Sequence, residues 1–222
     1  PIQTFTIGFP EKDFDESSLA NLVSKKFSTS HYVGTVSPHS VKDAIDLCVN
    51  HFDEPFGDSS SIPTFQVSKF ARKKVKMVLT GDGGDEVLSG YNTYLGLKLN
   101  DYYLKFPSFF RYSIDQILKS SSLIFKGRKR YKLNQIIDFV NFSSFDFNKK
   151  IINKIAFNSL DRIKELTSEI KELYSIEDYM STIMNNCNYK DDFYKLMYLN
   201  FKHNLPDDYL VKVDRMSMSN SI

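Results

Sequence analysis

The sequence predicts an α/β fold, a parallel sheet with flanking helices over residues 1–99, joined to a largely helical second half over residues 100–222 of the same domain. Three observations carry this. Short β-branched and aromatic runs alternate with helical patterns up to residue 80, a glycine- and acid-rich segment follows the last such run, and beyond residue 100 only helical periodicity remains.

Residues 2–9, IQTFTIGF, are rich in β-branched and aromatic types and are stopped by Pro10, the pattern of a buried strand. In residues 15–27, Leu19, Leu22, Val23 and Phe27 fall at helical spacing, with acids in the expected first turn. HYVGTV, residues 31–36, reads as a second strand. Val41, Ala44, Ile45, Cys48, Val49 and Phe52 then form the stripe of a second helix opened by Ser37 or Ser40. After the loop DEPFGDSSS come a helix bearing Phe65, Val67, Phe70 and Ala71 and a third strand, KVKMVLT, over residues 74–80. Sheets of this kind bind ligands beyond the carboxyl ends of their strands. In the helical half, Tyr102, Tyr103, Phe106, Phe109 and Phe110 come early, and Ile163, Leu166, Ile170 and Leu173 are spaced for one amphipathic face. The basic run KGRKRYK, residues 126–132, reads as a solvated loop and is given no role.

With 29 Lys and Arg against 27 Asp and Glu, the net charge of +2 gives no field that argues for nucleic acid or a membrane surface as partner. Cys48 and Cys187 lie far apart without a CxxC or Cys/His cluster, which disfavours a disulfide framework and a zinc site and makes a cytoplasmic location the default. No apolar run approaches membrane-spanning length and the first residues lack a signal pattern. The chain opens without Met on a strand-like run and stops inside a patterned segment, so both ends read as cuts.

The sharpest chemical signal is LTGDGGDEVLSGY, residues 79–91, where a strand is expected to run into a helix. Gly81, Gly83 and Gly84 allow close backbone approach to a ligand, and a helix starting near Glu86 directs its positive end to the same place. A phosphate loop usually brings a Lys. This one brings Asp82, Asp85 and Glu86, which repel phosphate unless a divalent cation stands between, so Mg²⁺ held by Asp85 with a nucleotide is expected. The plain alternative is a glycine-bearing turn with capping acids. A second loop, EPFGDSSSIPTF at 54–65, places Asp58, Ser59, Ser60 and Ser61 where they can cap the next helix or present its N–H groups to a substrate carboxylate. In the third segment, NLPDDYLVKVDRMSMSNSI at 204–222, helical spacing puts Lys212 four residues after Asp208 and three before Arg215, so two cations share a face. A surface ion-pair ladder explains that spacing equally well.

In this order and spacing, GFPEKDFDES, EPFGDSSSIPT, LTGDGGDEVLSGY and LPDDYLVKVDRMSM resemble the C-terminal synthetase domain of the glutamine-hydrolysing asparagine synthetases, an ATP-pyrophosphatase group with an adenine nucleotide alpha-hydrolase-like fold. The resemblance is strong over residues 1–99 and 203–222 and rests on position alone in between. It implies that Ile7 meets adenine through its main chain, that Thr80 and Gly81 stand beside the ribose and α-phosphate, and that Gly83 and Gly84 complete the nucleotide loop. It further implies that Asp82 promotes formation or aminolysis of an acyl-adenylate, that Glu86 serves beside it by orienting the loop, and that Asp85 binds Mg²⁺-pyrophosphate. Asp58 and Ser59 fall near the aspartate pocket, and Asp214 with Arg215 match a late Asp-Arg pair that holds the site together or faces pyrophosphate.

The implied reaction uses ATP and Mg²⁺ to join aspartate with ammonia released from glutamine by an N-terminal glutaminase domain of the full-length chain, and the resemblance leaves room for a homodimer. The family's SGGxDS loop, that glutaminase domain with its nucleophilic cysteine, and a later Glu-Arg-Pro-Phe-Leu-Asp type segment do not occur here, so the 222 residues alone are expected to be inactive. Two rivals stand: a β-lactam synthetase-like ligase acting on another carboxylate, and a non-catalytic module that kept the fold.

Overall fold

The computed structural model describes residues 1–10, 15–35, 45–46, 49–122, 145–155 and 175–222, with scattered positions between 133 and 167. It divides into two compact units, Pro1–Asp82 with His203–Ile222, and Gly83–Lys202.

In the first unit, β1 (Gln3–Gly8) pairs in parallel with β2 (Ser30–Thr35), with Gln3 opposite Ser30 and Ile7 opposite Gly34. Between them lies α1 (Ser17–Phe27). Asp15 precedes this helix and accepts from the Ser17 amide (3.2 Å) and hydroxyl (2.9 Å), so the acids expected in the first turn instead sit just ahead of it. The expected apolar stripe is helical, but it faces outward. Leu19, Leu22, Val23 and Phe27 are 57–68% exposed, while Ser24 is buried and Ser17 and Ala20 are half-buried. Small side chains at 17, 20 and 24 let this face lie close to the strands, and the Ser24 hydroxyl joins that of Thr29 at 2.8 Å.

The helix α2 (Ser61–Arg72) packs on β1, where Phe70 meets Phe5 edge-on with ring centroids 6.0 Å apart. It packs also on the C-terminal helix, here labelled α9 (Leu210–Met218), where fully buried Met216 meets Phe52 and Phe65 in the unit's apolar core. Of the expected second helix, residues 45–46 and 49–52 are helical; Ser37, Ser40, Val41, Ala44 and Cys48 lie outside the described residues.

The third strand is not formed. Residues 77–81 have no regular structure, Met77 is 76% and Leu79 93% exposed, and the sheet among the described residues has two strands. An apolar β-prone run encodes burial but not a pairing partner, and no neighbouring strand edge engages this one.

The second unit is helical: α3 (Gly84–Leu88), α4 (Asn92–Leu104), α5 (Ser108–Ser122), α6 (Phe147–Ile155), α7 (Ile176–Asn185) and α8 (Asp192–Leu199). Tyr94 and Leu97 of α4, Ile151 of α6, Met180 of α7, and Leu196 and Leu199 of α8 form its core. The Asn200 amide donates to the buried Tyr94 hydroxyl at 2.8 Å. Asp191 caps α8 through the Phe193 amide, and Ser175 caps α7 through that of Asp178. Of the early aromatics, Tyr102, Phe106, Phe109 and Phe110 are exposed, whereas Tyr103 packs edge-on to Phe139. Ile163, Ile170, Leu173 and the basic run 126–132 lie outside the described residues.

A π-helical segment, Asn200–Tyr209, leads into α9 and contains Pro206. Proline lacks an N–H and crowds the carbonyl four residues back, so a wider turn at this point relieves an α-helical clash. Among the described residues no helix is long and apolar enough to cross a membrane.

Candidate active-site loops

The glycine-acid turn begins in the first unit, where Thr80, Gly81 and Asp82 are all exposed. A Cβ added at Gly81 would meet nothing within 4 Å, so the chain's own packing does not call for glycine there. The second unit begins with Gly83 at φ 91°, a left-handed conformation that glycine adopts without strain, and from it α3 starts. Gly84 is equally open to an added Cβ.

Asp85 and Glu86, neighbours in the first turn of α3, have opposite fates. Glu86 is 2% exposed and its Oε1 accepts from the Tyr91 hydroxyl, which ties the turn to the start of α4. Asp85 is exposed, and its carboxylate lies over the Gly90 α-carbon: a Cβ there would stand 1.8 Å from Oδ1 and 2.8 Å from Cγ. Asp85 therefore offers its oxygens to solvent, whereas Glu86 is committed to holding the turn. Among the described residues no three His, Cys, Asp or Glu side chains group as a metal cage.

The second loop forms one wall of a cavity of about 720 Å³ in the first unit, lined among others by Phe52, Asp53, Glu54, Asp58, Ser59 and Ser61. Phe52 and Phe56 stack at 4.0 Å to give it an aromatic side. Ser60 is the N-cap residue of α2 by position, yet its side chain makes no cap hydrogen bond. Its hydroxyl turns instead to Asp58 Oδ2 at 2.7 Å, and its amide donates to Asp58 Oδ1 at 2.8 Å. Burial raises the Asp58 carboxyl, but the Ser60 hydroxyl, the Lys212 ammonium and the Ser60 amide together hold it below the ordinary carboxylate range.

Both cations of α9 reach this loop. Lys212 Nζ donates to Asp58 Oδ2 at 2.9 Å and to Ser60 Oγ at 2.7 Å, and Arg215 Nη1 to Asp53 Oδ2 at 3.1 Å. Lys212 is 9% exposed, so its pairing is no surface contact, whereas the Arg215–Asp53 pair is exposed. Asp208 is not its hydrogen-bond partner; burial first, then the nearby Asp58 charge, raises the Asp208 carboxyl against the opposing pull of Lys212 and His203. Of the expected site residues in this unit, Asp58 and Ser59 line one cavity, Arg215 reaches its wall through the bond to Asp53, and Ile7 lies near the end of β1 against Gly34. Asp53 and Lys212 were not singled out as site residues. The helical spacing of Lys212 and Arg215 was the available signal, but their partners lie more than 150 positions away.

The asparagine synthase family profile matches residues 1–222. A putative glutamine-hydrolyzing asparagine synthetase 2 of Methanocaldococcus jannaschii is 35% identical over 219 residues, 98% of this chain and 40% of the relative. Asparagine synthetase [glutamine-hydrolyzing] 1 of Bacillus subtilis is 26% identical over 100% of this chain and 34% of its own length, and a putative asparagine synthetase of Mycobacterium tuberculosis is 26% identical over 99% and 32%. The chain thus spans between 32% and 40% of these relatives. No solved structure matches it significantly. With the profile covering every residue, and its glycine-acid turn, acidic serine loop and Asp-Arg helix all in place, the chain belongs to the asparagine synthase family.

Proposed function

We propose that these residues are the synthetase portion of an enzyme that adenylates the β-carboxylate of aspartate with ATP and then amidates it with ammonia drawn from glutamine. The observation that carries this is the cavity lined by Asp53, Asp58 and Ser59, with Asp53 paired to Arg215, in a chain matched along its whole length by the family profile.

In this reading the aspartate carboxylate attacks the α-phosphorus of ATP, the bond to the pyrophosphate oxygen breaks, and an acyl-adenylate forms; ammonia then attacks the acyl carbon and AMP leaves. Ile7, Thr80, Gly81, Gly83 and Gly84 line the nucleotide. The open space over Gly81 and Gly84 suits a ligand that approaches the backbone closely. Asp82, exposed on the turn, takes the proton that ammonia loses. Glu86 acts at one remove, through its bond to Tyr91. Exposed Asp85 fits a divalent ion that draws its other ligands from phosphate and water, the usual habit of Mg²⁺. Bound there, the ion would neutralise the departing pyrophosphate. Holding the two reactants in line contributes about 7–11 kcal/mol in well-oriented cases.

The test is pyrophosphate release by the full-length protein supplied with ATP, Mg²⁺, ammonia and one amino acid at a time. Aspartate should be preferred; release with another carboxylate but not with aspartate would transfer the site to a related ligase, and no release with any would remove the reading. Asp82→Asn should slow amide formation about 10²-fold, as loss of a general base does, with ATP affinity almost unchanged. The 222 residues in isolation should form no asparagine.

A further inference from the structure

Three carboxylates, Asp53, Glu54 and Asp58, line the cavity that the proposed function assigns to an anionic amino acid. Left uncompensated they would repel it. The structure answers from a single helix: Arg215 meets Asp53, and Lys212, three residues earlier on α9, meets Asp58. We infer that Lys212 is a positioning residue, which neutralises Asp58 and locks the turn 58–60 so that Ser59 and the start of α2 face an incoming carboxylate.

The lock is a closed triangle. Lys212 Nζ donates to Asp58 Oδ2 and to Ser60 Oγ, and Ser60 Oγ donates to the same Asp58 oxygen. The Ser60 amide takes the other Asp58 oxygen. Both carboxylate oxygens are thereby engaged inside the protein, and Asp58 is a wall of the cavity rather than a contact for substrate. Ser59, between the two locked residues, is exposed and lines the cavity. The ammonium itself is held 5.1 Å over the Tyr209 ring, so its position is set by packing as well as by charge. A lysine has three donors and no acceptor, and one placed between a carboxylate and a hydroxyl cannot be replaced by a neutral side chain without leaving the half-buried Asp58 without its counter-charge. Asp53, at φ 61°, shows the same loop held in a sparsely populated conformation at the Arg215 end.

This rests on the proposed function for its substrate, and the experiment separates the two. In the full-length protein, Lys212→Met should raise KM for aspartate on the order of tenfold, while KM for ATP and the maximal rate stay near wild type. Lys212→Arg should recover most of the loss. The double variant Lys212→Met with Asp58→Asn, which removes both charges, should bind aspartate better than Lys212→Met alone, a reversal that simple damage to the fold does not produce. Melting temperatures of wild type, both single variants and the double variant form a second readout that needs no substrate, and the double variant should melt above Lys212→Met. An unchanged aspartate KM in folded Lys212→Met, or additive melting losses, overturns the inference. If the wild type releases no pyrophosphate with any amino acid, the proposed function fails and the melting cycle alone decides the lock.

Discussion

Asp85 and Glu86 show how little the identity of a residue says about its task. Both are carboxylates in one helical turn, yet one is exposed and the other is 2% exposed under a tyrosine hydroxyl. The family resemblance implies a place for both beside a nucleotide; only the helical phase of α3 decides which of them reaches solvent. Gly90 matters for the same reason. Its missing side chain is the space over which the Asp85 carboxylate lies, and its amide closes the turn onto the Asp85 carbonyl at 3.0 Å. Gly90→Ala must therefore displace Asp85. Because the displaced group is an exposed side chain, the change should cost only about 1 kcal/mol of stability, but in the full-length protein it should weaken Mg²⁺ affinity, with the Mg²⁺ concentration for half-maximal pyrophosphate release rising several-fold. An unaltered Mg²⁺ titration would detach Asp85 from the metal.

At the scale of elements, much was legible and the misses share a cause. Local pattern was sufficient for β1, α1, β2, α2 and α9, since each is specified by its own periodicity and breakers. Which way an element faces was not local. The stripe of Leu19, Leu22, Val23 and Phe27 marked a helix correctly but not its buried side, and the run at 74–80 had strand composition without a partner edge. The same limit applied to α9, whose two cations were visible as one face while Asp53 and Asp58 were not visible as their partners. This bridge between α2's leading turn and α9 has a pH signature. Asp58 titrates below its ordinary value when folded, so its stabilisation is fully present above the unfolded pKa of about 3.9 and is lost as pH falls through the lower folded value. Asp208 is shifted the other way, so its contribution is present at low pH and lost as pH rises through its raised value. Asp58→Asn should therefore destabilise by about 1–2 kcal/mol at pH 7, after allowance for partial exposure, and by less at pH 2, below the unfolded value. Asp208→Asn should be neutral or stabilising at pH 7. Denaturant melts at both pH values decide the matter, and a pH-independent loss in Asp58→Asn would remove the ion pair from the account.

At the scale of the whole molecule, the two units differ in how the chain builds them. The helical unit is one continuous stretch, Gly83–Lys202, with its own core of Tyr94, Leu97, Ile151, Met180, Leu196 and Leu199. The other is assembled from Pro1–Asp82 and the final His203–Ile222. Those last residues supply Met216, which has no exposed surface, to the core with Phe52 and Phe65, and they supply both cations that hold the acidic loop. Removing one large buried apolar side chain typically costs 2–5 kcal/mol and losing the half-buried Lys212–Asp58 pair about 1–2, against a usual domain stability of about 5–15. Ending the chain after Lys202 takes away all of these at once. The first unit should then unfold while the second, whose core residues are all retained, stays helical. Limited proteolysis with mass mapping should show rapid cleavage throughout residues 1–82 of the shortened chain and continued protection of the core segments of 83–202. Equal protection of residues 1–82 with and without residues 203–222 would mean that the sheet and α2 stand without α9, and the acidic loop would then need some other anchor.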